Sequence, residues 1–321
     1  MSAQAAATAA MKTLRFHHYG EPADVLRLEE AAIPHPAGNR VRVRVHACGL
    51  NPADWALCRG LFAGELPRGI GLDVSGVVDA VGEGVEDVKI GDCVLGAADF
   101  AGYPSAGASD FAVLNHWAPV PDSLDLVEAA ALPMAVETAY RSLDNLRVAA
   151  GHTLLVHGGG TMMGFAAVQM ALMRGARVIA TAGDTFAGRL RALGAEVTPY
   201  GEGMVERVLQ LTGGAPDLIL ATAPPSGALP ALVRIAGGDP RRVLTITDFP
   251  AAAELGVRTS FGEDNAGPRH DAFPEFAKLA AEGRFHVPIA RSFAFEDWRE
   301  ALDLSQSGRA HGKLMLLPAG A

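Results

Sequence analysis

The stretch Thr153-Leu-Leu-Val-His-Gly-Gly-Gly-Thr-Met-Met-Gly-Phe-Ala-Ala-Val-Gln169 decides the fold of this 321-residue chain. It predicts a buried strand, a glycine turn and a helix, in the order that places a pyrophosphate at a helix N-terminus. Glycine is favoured in such a turn because a Cβ atom would keep the backbone away from the phosphates, although a tight connection would also use it. The predicted dinucleotide contacts here are Gly158, Gly159, Gly160, Thr161, Met162, Met163 and Gly164.

The end of the next predicted strand indicates which dinucleotide binds. The sequence Val178-Ile-Ala-Thr-Ala182-Gly183 has no acid where NAD sites hold the ribose 2′-hydroxyl, and we interpret Asp184 as a turn or capping residue. A 2′-phosphate is therefore tolerated beside Ala182 and Gly183, which predicts NADPH as the cofactor. Arg189 and Tyr200 are candidate phosphate contacts, although an exposed helix face or loop would also account for them.

Around this motif, strands alternate with helices from Leu126 onward, which predicts a doubly wound parallel sheet. Predicted helices cover residues 128–146, 165–174, 186–193 and 273–282, and predicted strands cover residues 153–156, 177–180, 217–220 and 242–247. Before Leu124 the apolar runs are short and are interrupted by Gly and Pro, which is typical of a mostly antiparallel β domain. Residues 287–317 return to a strand, a helix and a strand, and we expect them to rejoin this first domain.

The composition limits the possible partners. A net charge of −9 disfavours nucleic acid and anionic lipid, and no run of about 18 apolar residues predicts a membrane span. We therefore expect a small-molecule substrate and neither a nucleic-acid nor a membrane partner. Three cysteines without Cys-x-x-Cys spacing favour a reducing cytoplasm. Residues 1–10 are interpreted as a flexible N-terminal extension.

Several motifs in the expected order resemble the medium-chain dehydrogenase/reductase superfamily, and most closely its zinc-independent branch of quinone oxidoreductases and enoyl reductases. The motifs are Ala47-Cys-Gly-Leu-Asn-Pro-Ala-Asp54, Gly71-Leu-Asp-Val-Ser-Gly-Val-Val78, Val81-Gly-Glu-Gly-Val85, Gly91-Asp-Cys-Val94, Leu193-Gly-Ala-Glu196 and Gly312-Lys-Leu-Met-Leu316. The resemblance covers nearly everything after Met11.

The resemblance implies an α/β fold in which a GroES-like, β-rich catalytic domain accompanies a Rossmann domain with a doubly wound parallel sheet. The expected limits are residues 11–124 and 284–321 for the GroES-like domain and residues 125–283 for the Rossmann domain. A homodimer is also expected. Ala223, at the end of a parallel strand where the nicotinamide is expected, and Lys313 complete the predicted cofactor contacts.

The zinc enzymes of this superfamily bind their metal with Cys, His and Cys, and the matching positions here hold Asn51, Leu72 and Met134. These residues do not make a zinc site, because zinc ligands are Cys, His and carboxylates. We therefore expect no metal and a substrate that is already electrophilic. The resemblance places Asn51 near the nicotinamide, where it either contacts the substrate carbonyl or caps a turn before Pro52. Thr138 resembles the family threonine near the nicotinamide ribose.

These expectations describe an NADPH-dependent reductase that transfers a hydride to a quinone or to an α,β-unsaturated carbonyl, with Asn51 and Thr138 as its candidate catalytic residues. A quinone or enone accepts a hydride because the resulting charge moves onto an oxygen, which hydrogen-bond donors can stabilise. Two alternatives stay open: a non-catalytic NADPH-binding sensor or scaffold of the same fold, and a zinc alcohol dehydrogenase, which Asn51, Leu72 and Met134 disfavour.

Overall fold

A computed structural model describes residues 10–261 and 267–319 and shows a mixed α/β fold, which confirms the predicted fold class. The strands are β1 (Ala10–Phe16), β2 (Arg27–Ala32), β3 (Val41–Leu50), β4 (Arg68–Gly69), β5 (Asp73–Val81), β6 (Cys93–Ala98), β7 (Phe111–Pro119), β8 (Thr153–His157), β9 (Arg177–Thr181), β10 (Glu196–Thr198), β11 (Leu218–Ala221), β12 (Val243–Thr245), β13 (Arg258–Thr259), β14 (Ile289–Ala294) and β15 (Lys313–Leu317). The helices are α1 (Pro22–Val25), α2 (Pro52–Cys58), α3 (Leu126–Ala130), α4 (Pro133–Asn145), α5 (Met162–Met173), α6 (Asp184–Leu193), α7 (Met204–Thr212), α8 (Leu229–Ile235), α9 (Phe249–Leu255), α10 (Phe273–Ala281) and α11 (Trp298–Gln306).

The chain divides into two compact units. Unit 1 comprises Met1–Met134 and Phe273–Ala321, and unit 2 comprises Ala135–Ala272. The domain limits predicted from the sequence lie after residues 124 and 283. Of the predicted N-terminal extension, residues 1–9 lie outside the described residues, and Ala10 begins β1.

Unit 2 is built on a parallel sheet with the strand order β10-β9-β8-β11-β12-β13. Leu154, Leu155 and Val156 of β8 are all buried, which is the pattern of a parallel strand covered on both faces. Because the strands run in one direction, the residues after β8, β9 and β11 all lie at one edge of the sheet. The glycine turn after β8 therefore lies beside the ends of its two neighbours.

Unit 1 is built on a sheet with the order β14-β15-β3-β5-β6-β7, in which β3 also pairs with β7. The pairs are antiparallel except β14–β15. Val41, Val43 and Val45 of β3 are buried and Arg44 between them is exposed, because successive side chains of a strand point to opposite faces. Strand β15 lies beside β3, which brings residue 313 next to residues 49–51.

One helix prediction is wrong. The sequence pattern predicts a single helix over residues 128–146, but α3 ends at Ala130 and α4 begins at Pro133. Proline cannot donate the backbone hydrogen bond of a helix interior, and it fits the first turn, where that donor has no partner. No helix among the described residues meets the length and hydropathy needed to cross a membrane.

Candidate functional site

The glycine turn after β8 fits a backbone that comes close to its neighbours. Gly158 has a φ of +90°, and a Cβ added there would lie 2.5 Å from the backbone nitrogen of Ala223. A Cβ on Gly164 would lie 2.2 Å from the carbonyl oxygen of Gly158. Both positions require glycine for local packing, so the glycines of the predicted turn have a steric cause.

Thr161 is the N-cap of α5, and its hydroxyl accepts a hydrogen bond from the Gly164 N–H at 3.0 Å. This bond satisfies one of the donors that a helix start leaves without a partner. The N–H groups of Gly160, Met162 and Met163 have no acceptor among residues 10–261 and 267–319. They are the donors that a phosphate at this helix N-terminus would use.

The end of β9 carries the residues on which the predicted tolerance of a 2′-phosphate rests. Ala182 is buried, and Gly183 is the N-cap of α6, whose first turn contains Asp184. Tyr200 is 61% exposed, and its hydroxyl lies 3.7 Å from the position of a Cβ on Gly183. The structure thus brings Tyr200 to this strand end. The guanidinium of Arg189 lies 5.6 Å from the centre of the Phe186 ring.

The turn that carries Tyr200 is held by Arg207 of α7. The Arg207 guanidinium donates to the Thr198 hydroxyl at 3.1 Å, to the Pro199 carbonyl at 2.9 Å and to the Glu202 carbonyl at 2.8 Å. These bonds tie both sides of Tyr200 to one rigid group. Arg207 is not among the residues predicted from the sequence.

Thr138 and Ala223 are both parts of unit 2. The hydroxyl of Thr138 donates to the carboxylate of Glu137 at 3.2 Å, and Glu137 forms a buried ion pair with Arg141. Ala223 follows β11 and packs against Gly158, so the glycine turn and the end of β11 are in contact. Ala223 therefore lies beside the predicted phosphate loop.

Asn51 lies in a buried network with Asp73 and Lys313 inside unit 1. The ammonium of Lys313 donates to Oδ1 of Asn51 at 2.5 Å and to Asp73 at 2.6 Å, and Nδ2 of Asn51 donates to Asp73 at 3.0 Å. Exposed fractions are 2% for Asn51, 1% for Asp73 and 2% for Lys313. Because an ammonium can only donate, the orientation of the Asn51 amide is fixed.

These contacts bear on the two roles considered for Asn51. Asn51 is the N-cap of α2, and its backbone N–H donates to the carboxylate of Asp54 at 2.7 Å, as in a capping box. The second Nδ2 bond, to the carbonyl of Gly49, is long at 3.4 Å. Lys313, expected at the cofactor, uses two of the three donors of its ammonium for Asn51 and Asp73.

Asp54 is a fully buried carboxyl beside this network. It accepts hydrogen bonds from the N–H groups of Asn51, Gly71 and Leu72, at 2.7, 2.7 and 3.0 Å. Burial nevertheless raises the pKa of Asp54 to about 6, and the charge of Asp73 acts in the same direction. Asp54 thus fixes the loops around residues 51 and 71.

Leu72 and Met134 have backbone roles in unit 1. The N–H of Leu72 donates to Asp54, and the N–H of Met134 donates to Asp73 at 2.8 Å. Within the described part of the chain, no three His, Cys, Asp or Glu residues are grouped so that they could hold a metal ion.

Three aromatic residues make defined contacts inside their own units. Trp55 is buried and its indole N–H donates to the Ser305 hydroxyl at 2.8 Å, and the Tyr103 hydroxyl donates to the His35 carbonyl at 3.1 Å. The Tyr140 ring centre lies 4.7 Å from the guanidinium carbon of Arg174 and 4.7 Å from that of Arg269.

Two family models match the chain. The alcohol dehydrogenase GroES-like domain matches residues 37–118, and the zinc-binding dehydrogenase model matches residues 178–316. Quinone oxidoreductase of Rattus norvegicus is 36% identical over 180 residues, which are 54% of this chain and 53% of the relative. The 2-methylene-furan-3-one reductase of Solanum lycopersicum is 34% identical over 201 residues, 58% of this chain and 51% of the relative. The chain thus spans about half the length of these curated relatives.

Solved structures resemble the fold over nearly the whole chain. The quinone oxidoreductase from Coxiella burnetii has a TM-score of 0.74 at 26% identity, covering 96% of this chain and 99% of that one. A crystal structure of an NAD-dependent alcohol dehydrogenase has a TM-score of 0.78 at 27% identity, covering 95% of this chain and 99% of that one.

Proposed function

Because the chain belongs to the medium-chain dehydrogenase/reductase superfamily, we propose that it is a zinc-independent, NADPH-dependent reductase of quinones or α,β-unsaturated carbonyls. The observation that carries the proposal is the buried network of Asn51, Asp73 and Lys313. Asn51, at the first ligand position of the zinc enzymes, is bonded to an ammonium and a carboxylate of the chain. Leu72 and Met134 offer no thiolate or imidazole at the other two positions.

The residue types at these positions define which acceptors are suitable. An alcohol or simple ketone needs a Lewis acid to polarise its oxygen, whereas a quinone or enone is already electrophilic. The names of the relatives agree with this reasoning, since they include quinone oxidoreductases and a 2-methylene-furan-3-one reductase. We therefore assign a flat, conjugated carbonyl compound as the acceptor class.

The glycine turn supports dinucleotide binding, and bound NADPH would supply the hydride. Gly158 and Gly164 leave no room for a side chain, and the N–H groups of Gly160, Met162 and Met163 are available to phosphate oxygens. Ala182 offers no carboxylate that would repel a 2′-phosphate. Tyr200 lies beside the neighbouring residue, Gly183. Arg189 adds a positive charge on α6, the helix that Gly183 caps. The homodimeric state and the cytoplasmic location stay predictions.

Asn51 is the proposed donor to the acceptor oxygen. Its Nδ2 bond to the Gly49 carbonyl is 3.4 Å long, so this hydrogen is the one that a substrate oxygen would take over. Losing one donor to a developing oxyanion typically costs about two to three orders of magnitude in turnover. Thr138 is proposed to contact the nicotinamide ribose through its hydroxyl, which would then exchange its bond to Glu137.

The test is NADPH oxidation by a panel of quinones, enals and enones, run with and without a chelator and accompanied by metal analysis. We expect turnover on at least one acceptor class, unchanged by the chelator, and less than stoichiometric zinc. Asn51→Ala should lower kcat strongly per folded molecule while leaving the Kd for NADPH unchanged. Dinucleotide binding without turnover on any acceptor would favour the sensor or scaffold alternative, and one equivalent of zinc needed for activity would refute zinc independence.

Cofactor preference has its own test. Ala182→Asp adds a carboxylate that repels a 2′-phosphate and can accept the 2′-hydroxyl of NADH. We expect the wild type to bind NADPH more tightly than NADH in titration and the variant to reverse that order. A wild type that prefers NADH would contradict the interpretation of this strand end.

A further inference from the structure

A hydroxyl network lies directly beneath the glycine turn in unit 2. The Thr181 hydroxyl accepts from the Gly158 N–H at 3.1 Å and lies 2.9 Å from Nδ1 of His157. The Thr222 hydroxyl, which has one hydrogen to donate, lies 2.9 Å from the Gly158 carbonyl oxygen and 3.1 Å from the His157 carbonyl oxygen. Thr161 joins the network, because its hydroxyl lies 3.0 Å from that of Thr222.

We infer that Thr181 and Thr222 are positioning residues for the dinucleotide, which act by fixing Gly158 in the conformation that the phosphate loop requires. Gly158 has its N–H held by the end of β9 and its carbonyl held by the residue after β11. Glycine can adopt this residue's φ of +90°, but it adopts other conformations about as readily. The two hydroxyls therefore select one conformation of a residue that has little preference of its own.

The arrangement of donors and acceptors is consistent around Thr181. Its oxygen accepts the Gly158 N–H and still has a hydrogen and a second lone pair, so it can pair with Nδ1 of His157 in either tautomer of the ring. Burial lowers the pKa of His157, which favours a neutral ring in this network. Thr181 thus connects the Gly158 N–H to the His157 ring.

The network also determines which N–H groups face a phosphate. Thr161 uses its hydroxyl to cap the Gly164 N–H, which removes that donor from the phosphate and leaves those of Gly160, Met162 and Met163. Thr161 is held by Thr222, and so is the Gly158 carbonyl. The Gly158 carbonyl also accepts from the Thr161 N–H at 2.9 Å and lies 3.0 Å from the Thr161 hydroxyl, so loss of the Thr222 hydroxyl would loosen the turn and the helix start together.

This inference rests on the proposed dinucleotide binding, and its test compares three valine variants with the wild type. Thr181→Val and Thr222→Val remove one hydroxyl each at nearly constant shape. Thr245→Val is the matched control: Thr245 is also buried, at the end of β12, but its hydroxyl accepts from the N–H groups of Thr247 and Asp248, both at 3.3 Å, rather than from the glycine turn. The Kd for NADPH and for NADH and the Tm without ligand are measured for each.

We expect Thr181→Val and Thr222→Val to raise both Kd values about tenfold or more, because the loop that they fix contacts the pyrophosphate common to both dinucleotides. Thr222→Ser should restore binding, and Thr245→Val should lower Tm without changing Kd. If the variants lower Tm as the control does and leave Kd within about twofold, the hydroxyls are only structural and the inference is wrong. A wild type that binds neither dinucleotide would refute the proposed function and this inference with it; normal wild-type binding with unaffected variants refutes the inference alone.

Discussion

Lys313 is a charged side chain that the fold of unit 1 keeps away from water. Burying an ammonium costs several kcal/mol unless the charge is paired and hydrogen-bonded, and Lys313 meets this condition with Asp73 and Asn51. A Cβ on Gly49 would lie 2.8 Å from Cε of Lys313, so the lysine stem also requires glycine on the neighbouring strand. The absence of a side chain at Gly49 of β3 thus makes room for the long side chain of Lys313 on β15.

Replacing Lys313 should therefore destabilise unit 1 strongly. Lys313→Met leaves the carboxylate of Asp73 buried without its partner, which costs about 3–5 kcal/mol. Urea unfolding followed by tryptophan fluorescence measures this, since Trp55, Trp117 and Trp298 all belong to unit 1.

The matched control for this measurement is Lys278→Met, on the exposed face of α10 in the same unit. It should change the free energy of unfolding by less than about 0.5 kcal/mol. Adding Asp73→Asn to Lys313→Met should recover part of the loss, because it removes the unpaired charge. Equal stabilities of the two methionine variants would contradict the ion pair.

At the scale of elements, helices α5 and α6 each contain a glycine, but for different reasons. Gly164 in the first turn of α5 touches the turn that precedes it, whereas a Cβ on Gly188 of α6 would meet nothing within 4 Å. Gly188 is exposed in a helix interior, where alanine is more favourable than glycine by about 0.5–1 kcal/mol. The same substitution should therefore have opposite effects in the two helices.

We expect Gly164→Ala to lower the Tm and weaken dinucleotide binding, because its Cβ would lie 2.2 Å from the Gly158 carbonyl oxygen and 2.6 Å from the Thr222 hydroxyl. Gly188→Ala should raise the Tm slightly and leave the Kd for NADPH unchanged. Thermal unfolding and titration of both variants provide the comparison. An unchanged Kd in Gly164→Ala would mean that the contact with Gly158 does not shape the cofactor loop.

At the scale of the whole molecule, Asp54 links stability to pH. Its pKa in the fold, about 6, lies above its ordinary value of 3.8 because burial disfavours the carboxylate. As the pH rises from about 4 to 6, the unfolded chain loses this proton more readily than the folded chain does. Stability from this group is therefore highest below about pH 4 and falls through that interval, by about 3 kcal/mol in total.

The measurement is urea unfolding of the wild type and of Asp54→Asn from pH 4 to pH 7, followed by tryptophan fluorescence. Asparagine does not titrate, so the variant should lack this component of the slope, whatever its absolute stability. Exposed acids such as Glu296, whose pKa is lowered mainly by its hydrogen bond with Lys12, contribute to both proteins and cancel in the difference. Parallel pH profiles would contradict the raised pKa of Asp54.

The sequence alone determined the class of fold and several of its elements. The strand, glycine turn and helix around Gly158, the buried apolar runs of unit 2 and the alternating valines of β3 are local patterns, and local geometry imposes them. The same local reasoning located Ala182 at the end of β9, but it did not predict β10 and α7, the elements on either side of Tyr200. It failed at residues 131–132, where it extended one helix across the break before Pro133.

Only the tertiary structure decided what the polar residues of the site contact. Lys313 is separated in sequence from Asn51 by 262 residues and from Asp73 by 240, and Thr222 is separated from Gly158 by 64. No periodicity or spacing connects such residues, because their contact depends on which strands are neighbours in a sheet. A lysine or threonine in an apolar strand is compatible with several partners; strand order β15-β3-β5 selects Asp73 and Asn51 for Lys313, and order β9-β8-β11 places Thr181 and Thr222 on either side of Gly158.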